Sequence, residues 1–261
     1  MNEEEAGRKL LQVIRNVAEG HYSNDIMEFT RDEFPESMRT VAEAMGMMMV
    51  KVEAREFRLE GLIEELKALN ERIKRNAIGA VSAMAQALGA RDMYTEGHTT
   101  RVADCARKMA LRLGINEEQA EFVRIGGQLH DIGKIGFSDP LFTDHGLKNT
   151  PELVKEIVNH PRLGAEILKD LDFLGPALDY VLCHHERIDG SGYPRRLKGD
   201  DVPLGAQILG VADSFDAMTT DRPYQKGMSK TVAIEKLQAQ AGKKFRADIL
   251  DALAGVVEES E

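Results

Sequence analysis

Apolar residues recur at helical spacing along almost the whole chain, and this periodicity constrains the fold more than any other feature of the sequence. From about Asn76 onwards, apolar side chains return every three or four residues, as in the series Ile78, Val81, Met84 and Leu88. Such spacing places side chains on one face of an α-helix. No segment shows the sustained alternation that is typical of a half-buried strand. The sequence therefore predicts an all-α fold.

Length and composition limit the class of protein. The chain has 261 residues, of which 43% are hydrophobic, and this is enough for one large domain with an appendage. No apolar run approaches the roughly 18 residues that cross a bilayer, so we expect no membrane insertion. The two cysteines, Cys105 and Cys183, form no CxxC pair, which fits a reducing, cytoplasmic location. Cys183 precedes His184 and is either a metal ligand or a small buried thiol.

The net charge of -10 argues against two classes of partner. Nucleic-acid polymers and anionic membranes need a basic face, and the sequence shows none. A small phosphorylated ligand is still possible, because bound divalent cations can dominate the local field.

The first 58 residues show a two-helix pattern. Apolar residues from Leu10 to Val17 predict a short helix that stops at Gly20, and Asp32 is predicted to open a second helix with Pro35 in its first turn. This layout resembles a HAMP signalling module over about 50 residues. The resemblance implies a dimeric four-helix bundle that relays a signal along the following helix.

An apolar seam with heptad spacing follows and runs through the predicted linker helix, residues 59–75. Its members are Met45, Met48, Val52, Leu59, Leu62, Leu66, Leu69 and Ile73. Arg55 interrupts the seam, and the flanking positions carry Glu, Lys and Arg. This pattern favours a parallel dimeric coiled coil, and the alternative is a single amphipathic helix packed on the next domain.

Histidines and acids beside apolar residues are candidates for a metal centre. His184 and His185 end an apolar helical run and precede a loop that contains Gly190, Gly192 and Pro194. Neutral imidazole is the commonest metal ligand in proteins, and buried carboxylates are paired or bind metals. Taken alone, a residue such as His98 is explained equally well as a core histidine with a hydrogen-bond partner. The candidate ligands are His98, His130, Asp131, His160, His184, His185 and Asp213.

These residues are spread over several predicted helices, and helical bundles build metal sites from side chains on facing helices. A mixed set of His and carboxylate ligands suits two divalent ions, Fe or Mn, with Asp131 as the natural bridge. Two such ions support in-line displacement at phosphorus. Lys134 is predicted to lie one turn beyond His130 on the same helix, where it would hold a phosphoryl oxygen.

The chain from about Ala87 to its end resembles the HD-GYP family. The resemblance rests on motifs that stand in the order of the family. They are Ala90-Arg91-Asp92-Met93-Tyr94-Thr95-Glu96-Gly97-His98, Leu129-His130-Asp131-Ile132-Gly133-Lys134-Ile135-Gly136, His160-Pro161, His184-His185-Glu186, Gly192-Tyr193-Pro194, Val211-Ala212-Asp213 through Asp216-Ala217, and Asp221-Arg222-Pro223-Tyr224.

The resemblance implies an all-helical HD-type bundle over residues 76–261. It also implies a metal-dependent phosphodiesterase that hydrolyses cyclic di-GMP to pGpG or GMP, and it places the seven candidate ligands at the metals. Asp131 and Lys134 would carry the chemistry, with Lys134 on a phosphate. Four residues would line or shape the ligand cleft: Asp189, Tyr193, Pro194 and Arg222.

Two departures from the family pattern bear on activity. Asp144-His145-Gly146 stands where the family usually has Lys-Pro-Gly, which changes charge and stiffness above the cleft. Tyr94 stands where members with three metals have Glu, which favours two ions and weakens the case for His185 as a ligand.

Three functions are therefore compatible with the sequence. The leading one is a cyclic di-GMP phosphodiesterase controlled by a dimeric N-terminal module. The altered loop at residues 144–146 suggests an inactive receptor that binds cyclic di-GMP and signals through the coiled coil. The third is an HD-type hydrolase of another nucleotide, against which the Gly192-Tyr193-Pro194 motif argues.

Overall fold

The computed structural model describes residues 3–89, 97–143, 150–221 and 226–259. Ten α-helices lie in these ranges: α1 (Glu3–Ala18), α2 (Glu36–Gly89), α3 (His98–Arg112), α4 (Glu117–Leu129), α5 (Pro140–Thr143), α6 (Pro151–Leu168), α7 (Ala177–Cys183), α8 (Leu204–Thr219), α9 (Lys230–Gln238) and α10 (Ala247–Glu258). The same ranges contain no strand and one isolated β-bridge, between Ala241 and Phe245. The predicted all-α fold is confirmed.

The chain divides into two compact units, and the first ends at Ile73. Gly20 has a φ of +85° just after α1, which is the helix stop that the sequence predicted. The second helix begins at Glu36 and not at Asp32, because the residue before Pro35 is held out of the helical conformation. A 3₁₀ helix, Asn24–Thr30, precedes it. The core of this unit consists of Ala6, Leu10, Val13, Val17, Ile26, Phe29, Phe34, Ala42 and Met49.

The helix α2 is continuous over 54 residues and carries the predicted seam. Five members of the seam are between 50% and 59% exposed: Leu59, Leu62, Leu66, Leu69 and Ile73. The described part of the chain thus leaves this stripe uncovered. Despite its length, α2 does not have the hydropathy of a membrane span, and neither does any other described helix.

The second unit begins at Lys74 and has its largest core between α3, α4, α8 and α10. The helix α8 is buried on all sides from Gly205 to Ala212, as expected for a helix at the centre of a bundle. A second core joins α4 to α6 and α7, and it includes Leu129, Leu168 and Val181. The helix α4 therefore contributes to both cores. Its C-terminal residue, Leu129, is buried.

Two helix boundaries in the second unit also differ from the prediction. The helix α4 ends at Leu129, and Lys134 lies in a separate 3₁₀ helix, Ile132–Gly136. The reason is a close backbone approach, because a Cβ on Gly133 would lie 1.9 Å from the carbonyl oxygen of His160. Because the residue before a proline is disfavoured in a helix, the sequence also predicts a helix break at His160-Pro161. That prediction is wrong, since α6 runs through both residues.

Candidate metal centre

Six of the seven predicted ligands form two groups inside the second unit. One group contains His98, His130 and Asp131, and the other contains His160, His184 and His185. Within each group the possible ligand atoms all lie within 4.8 Å of one another. All six side chains are buried except that of His185, which is partly buried.

Asp131 lies between the two groups and faces both. Its Oδ2 atom is 3.8 Å from Nε2 of His98 and 3.4 Å from Nε2 of His130, whereas its Oδ1 atom is 3.7 Å from Nε2 of His160. The seventh predicted ligand, Asp213, joins the first group, since its Oδ1 atom is 3.5 Å from Nε2 of His98. One carboxylate can therefore reach an ion in either group.

Helix ends orient two of the histidines. Nδ1 of His130 lies 2.8 Å from the carbonyl oxygen of Gly127, and Nδ1 of His184 lies 2.7 Å from that of Val181. Both carbonyls belong to the last turn of a helix, α4 or α7, where backbone acceptors have no helical donor. Each imidazole uses such a carbonyl three residues before it, and its Nε2 atom is thereby aimed into the centre.

Pro161 produces the same arrangement inside α6. A proline has no N–H, so the carbonyl of Ile157 loses the donor that it would have four residues later. Nδ1 of His160 occupies that acceptor at 2.7 Å. The His160-Pro161 pair thus aims an imidazole out of an unbroken helix, because the proline leaves the required carbonyl available.

These backbone hydrogen bonds fix the tautomer. When Nδ1 carries the proton, Nε2 is left with a lone pair, so several lone pairs point at one another inside the bundle. Nε2 of His160 and Nε2 of His184 are 3.4 Å apart. Nε2 of His130 is buried and has no hydrogen-bond partner among the described residues. Such an arrangement is repulsive unless a cation lies between the nitrogens.

The donor set fits a metal ion. Two nitrogens that each lie about 2.1 Å from one tetrahedral ion are about 3.4 Å apart, which is the separation of the His160 and His184 nitrogens. Burial lowers the pKa of His160 to about 4, and burial with its histidine neighbours holds the pKa of His184 well below its ordinary value. Both imidazoles are therefore neutral at pH 7, as metal ligands must be.

Asp131 is ionised although it is buried. Burial by itself raises the pKa of this carboxyl, but the neighbouring His130 and Lys134 hold the pKa well below its ordinary value. The Lys134 ammonium donates to Oδ2 of Asp131 at 2.6 Å. Lys134 therefore lies beside the centre although the predicted helical turn does not form.

A carboxylate that the prediction left without a role orients His98. Asp216 Oδ2 lies 2.7 Å from Nδ1 of His98, and the Arg101 guanidinium binds both oxygens of Asp216, at 2.6 and 3.0 Å. Asp216 follows Asp213 by three residues on α8, so the two acids share a helix face. That spacing in an apolar helix is the signal that could have identified Asp216 from the sequence.

The loop after His185 is held by a second buried acid whose role the sequence did not reveal. The Glu186 carboxylate is 2% exposed and accepts hydrogen bonds from the backbone N–H groups of Arg195, Arg196 and Leu197 at 2.6 to 3.0 Å. Gly192 has no room for a side chain, because a Cβ there would lie 2.5 Å from backbone atoms of His185, Glu186 and Arg187. The loop is thus folded back tightly on the histidine pair.

The four predicted cleft residues lie in different environments. The Tyr193 ring lies against His185, with ring centroids 4.7 Å apart, and burial raises the pKa of its phenol to about 12. Pro194 borders a cavity of about 550 Å³ on the side of α6. Asp189 is exposed and accepts from the backbone N–H of Ser191, as in a loop turn. Arg222 lies outside the described residues.

The cavity beside Pro194 is lined by charged and polar side chains of α6, namely Glu152, Lys155, Glu156, Asn159 and Arg162, together with Val158.

The two departures from the family pattern, at Tyr94 and at Asp144-His145-Gly146, fall outside the residues that the structure describes.

Comparison with known proteins identifies the second unit. The family model described as HD domain matches residues 82–249. The chain is 33% identical over 221 residues to the cyclic di-GMP phosphodiesterase response regulator RpfG of Xanthomonas campestris pv. campestris, covering 84% of this chain and 58% of that protein. It is 37% identical over 164 residues to a cyclic di-GMP phosphodiesterase of Thermotoga maritima, covering 62% and 44%.

A third relative is the 3'3'-cGAMP-specific phosphodiesterase 2 of Vibrio cholerae, 33% identical over 172 residues that cover 65% of this chain and 33% of that protein. The chain spans about half the length of the curated relatives that it matches. Among solved structures, Bd1817, a HDG"Y"P protein from Bdellovibrio bacteriovorus, has a TM-score of 0.52 at 21% identity, covering 71% of this chain and 63% of that one.

The similarity to Bd1817 shows a shared fold, and the family match covers both groups of candidate ligands. The HD-type bundle that the motifs predicted is therefore confirmed. This chain belongs to the HD domain family.

Proposed function

We propose that this protein is a metal-dependent phosphodiesterase that hydrolyses a cyclic dinucleotide, with cyclic di-GMP as the leading substrate. The observation that carries the proposal is the pair of buried groups that share Asp131. Shared carboxylates between two sets of nitrogen ligands are typical of sites for two divalent ions. The names of the relatives in Xanthomonas and Thermotoga support the same substrate.

Two ions are proposed, one in each group. His98, His130 and Asp213 would hold one, His160, His184 and His185 the other, and Asp131 would bridge them. Fe and Mn are the metals that best suit this mixture of imidazole and carboxylate. When bound, a pair of such ions acidifies water and offsets negative charge on a phosphodiester.

The residues of the chain position the substrate and manage charge. Lys134 lies beside Asp131 with its side chain 28% exposed, so its ammonium can donate to a phosphoryl oxygen without leaving the centre. The Tyr193 phenol stays protonated at neutral pH and presents a donor beside His185. The loop at residues 190–194 and the cavity beside Pro194 would receive the nucleoside part of the substrate, and Arg222 is proposed to join them.

The protein should be purified, loaded anaerobically with Fe²⁺ or Mn²⁺, and incubated with cyclic di-GMP, and the products should be separated by chromatography. We expect linear pGpG, GMP or both, and no product from His130→Ala protein. Turnover by neither metal form would contradict the proposal. Tight binding without turnover that survives both His130→Ala and Asp131→Ala would instead support the receptor function.

A second substrate, 3'3'-cGAMP, is supported by the names of relatives from Vibrio cholerae. The same assay should include it at equal concentration. We expect kcat/KM to be higher for cyclic di-GMP than for 3'3'-cGAMP. A higher kcat/KM for 3'3'-cGAMP would make that nucleotide the leading substrate.

We further propose that the protein is a homodimer through α2. The five half-exposed seam residues from Leu59 to Ile73 have a spacing of three and four residues, which is the pattern of a parallel coiled coil. In this arrangement residues 1–58 form a HAMP-like module, residues 59–75 a linker, and residues 76–261 the phosphodiesterase domain. The module would control the activity by changing the packing of the linker.

A further inference from the structure

The histidines of the two groups differ in what holds their Nδ1 atoms. For His130, His160 and His184, the acceptor is a backbone carbonyl three residues earlier on the same element. His98 is the first residue of α3, so no turn of that helix precedes it. Its Nδ1 atom instead meets the Asp216 carboxylate, 118 residues away on α8, at 2.7 Å.

Both carboxylate oxygens of Asp216 already have hydrogen-bond partners. Its Oδ1 atom accepts from Nε of Arg101 at 2.6 Å. Its Oδ2 atom accepts from Nδ1 of His98, from Nη2 of Arg101 at 3.0 Å, and from the Thr220 hydroxyl at 3.3 Å. The side chain is 9% exposed, and Arg101 clamps it in a bidentate geometry.

We propose that Asp216 is a positioning residue that fixes the tautomer and ring orientation of His98, and that it thereby sets the affinity of the His98–His130–Asp131 group for its ion. Arg101 acts one step further out by fixing Asp216. The His160–His184–His185 group does not depend on this pair, because Nδ1 of His160 and Nδ1 of His184 both contact backbone carbonyls. The inference rests on the metal-binding role proposed above.

The physical reason is the carboxylate–histidine–metal relation. An anionic acceptor at Nδ1 keeps the proton there, leaves the Nε2 lone pair for the ion, and raises the basicity of that nitrogen. The Asp216 carboxylate is suited to this role, because Arg101 contacts both of its oxygens and holds it against Nδ1 of His98.

The first test uses metal-free protein and is independent of hydrolysis. The ¹⁵N shifts of the His98 ring should show a proton on Nδ1 in the wild type and a mixture of tautomers in Asp216→Asn protein. Asp104→Asn changes an exposed acid on α3, the helix that carries His98, and serves as the matched control, with no expected effect. An unchanged His98 tautomer in the Asp216 variant would overturn the proposal, whether or not the protein hydrolyses any nucleotide.

The second test counts ions. Mn²⁺ titration followed by metal analysis should show two ions per wild-type chain, and Asp216→Asn should weaken one of them by roughly 10- to 100-fold while leaving the other unchanged. Equal weakening of both ions, or no weakening, would contradict the assignment. If Asp216→Asn does not fold, Arg101→Met keeps the test available, since this side chain is 44% exposed; it should weaken the same ion by a smaller factor.

Discussion

Folded proteins usually bury apolar side chains and expose polar ones, and two regions of this chain depart from that rule in opposite ways. The helical bundle of the second unit buries imidazoles and carboxylates, whereas α2 exposes leucines from Leu59 to Leu69. Buried lone pairs that face one another are unfavourable without a cation, and an exposed apolar stripe is unfavourable without a covering surface. The buried lone pairs favour a cation in the bundle, and the exposed leucines favour an apolar covering surface along α2, as the two proposals above require.

The change with the largest expected effect removes Asp131, the acid that both ligand groups share. Asp131→Ala deletes the carboxylate that faces His98, His130 and His160. We expect both ions to be lost and kcat/KM for cyclic di-GMP to fall by about 10⁴-fold or more, the scale of losing a core catalytic residue. Metal analysis and the turnover assay on the same sample provide the measurement. Retention of both ions would show that Asp131 is not the bridge.

The corresponding change in α2 should break the dimer and leave the metal centre loaded. Leu62→Glu with Leu66→Glu places four charges in the proposed seam of a dimer. Because each buried leucine contributes about 1.5 to 3 kcal/mol, association should weaken by about 10³-fold or more. Sedimentation equilibrium measures the change, and Lys67→Glu on the outer face is the control. A double variant that stays as dimeric as the control would show that the seam has another partner.

A third change tests whether a buried acid without a metal role behaves differently from the ligands. Glu186→Ala removes the acceptor of three backbone N–H groups in the loop at residues 195–197. We expect the free energy of unfolding to fall by about 3 kcal/mol, since each buried donor without an acceptor costs about 1 to 3 kcal/mol and water satisfies some of them. Denaturant unfolding measures this change.

The exposed Glu166 of α6, which pairs with Lys169 just after that helix, provides the comparison for that experiment. Glu166→Ala should change the free energy of unfolding by less than about 1 kcal/mol. A Glu186 variant no less stable than this control would mean that the loop is held by other contacts.

The smallest expected effect concerns the interruption of the seam. Arg55 occupies a position in the heptad series where an apolar residue is expected, so two guanidinium groups would meet in a parallel dimer. Arg55→Leu should strengthen association by about 1 to 2 kcal/mol by adding apolar burial. The same sedimentation experiment, with Lys67→Leu as the control, should show a lower dissociation constant. A weaker dimer would place Arg55 outside the interface.

Much of this organisation could be predicted from the sequence, because it depends on local patterns. Helical spacing predicted the all-α bundle, and the position of His184-His185 at the end of an apolar run predicted one of the converging elements. The start of α6 follows a local pattern too, because Thr followed by Pro is a common helix start, and the Thr150 side chain accepts from the N–H of Leu153.

The errors arose where distant contacts decide local geometry. Pro161 was interpreted as a helix break, but α6 continues through it and His160 contacts the freed carbonyl of Ile157. The helix α4 was extended to Lys134, but the contact of Gly133 with α6 imposes a 3₁₀ turn. The role of Asp216 was missed because its partner His98 is 118 residues away.

The central claim is that buried imidazoles and acids in this bundle hold two cations that share Asp131. An anomalous-difference map from crystals of Mn²⁺-loaded protein, recorded on both sides of the Mn absorption edge, tests it most directly. We predict two peaks, one beside His98 and His130 and one beside His160 and His184, each within bonding distance of Asp131. Absence of any peak in the bundle, or peaks only at sites remote from Asp131, would contradict the account.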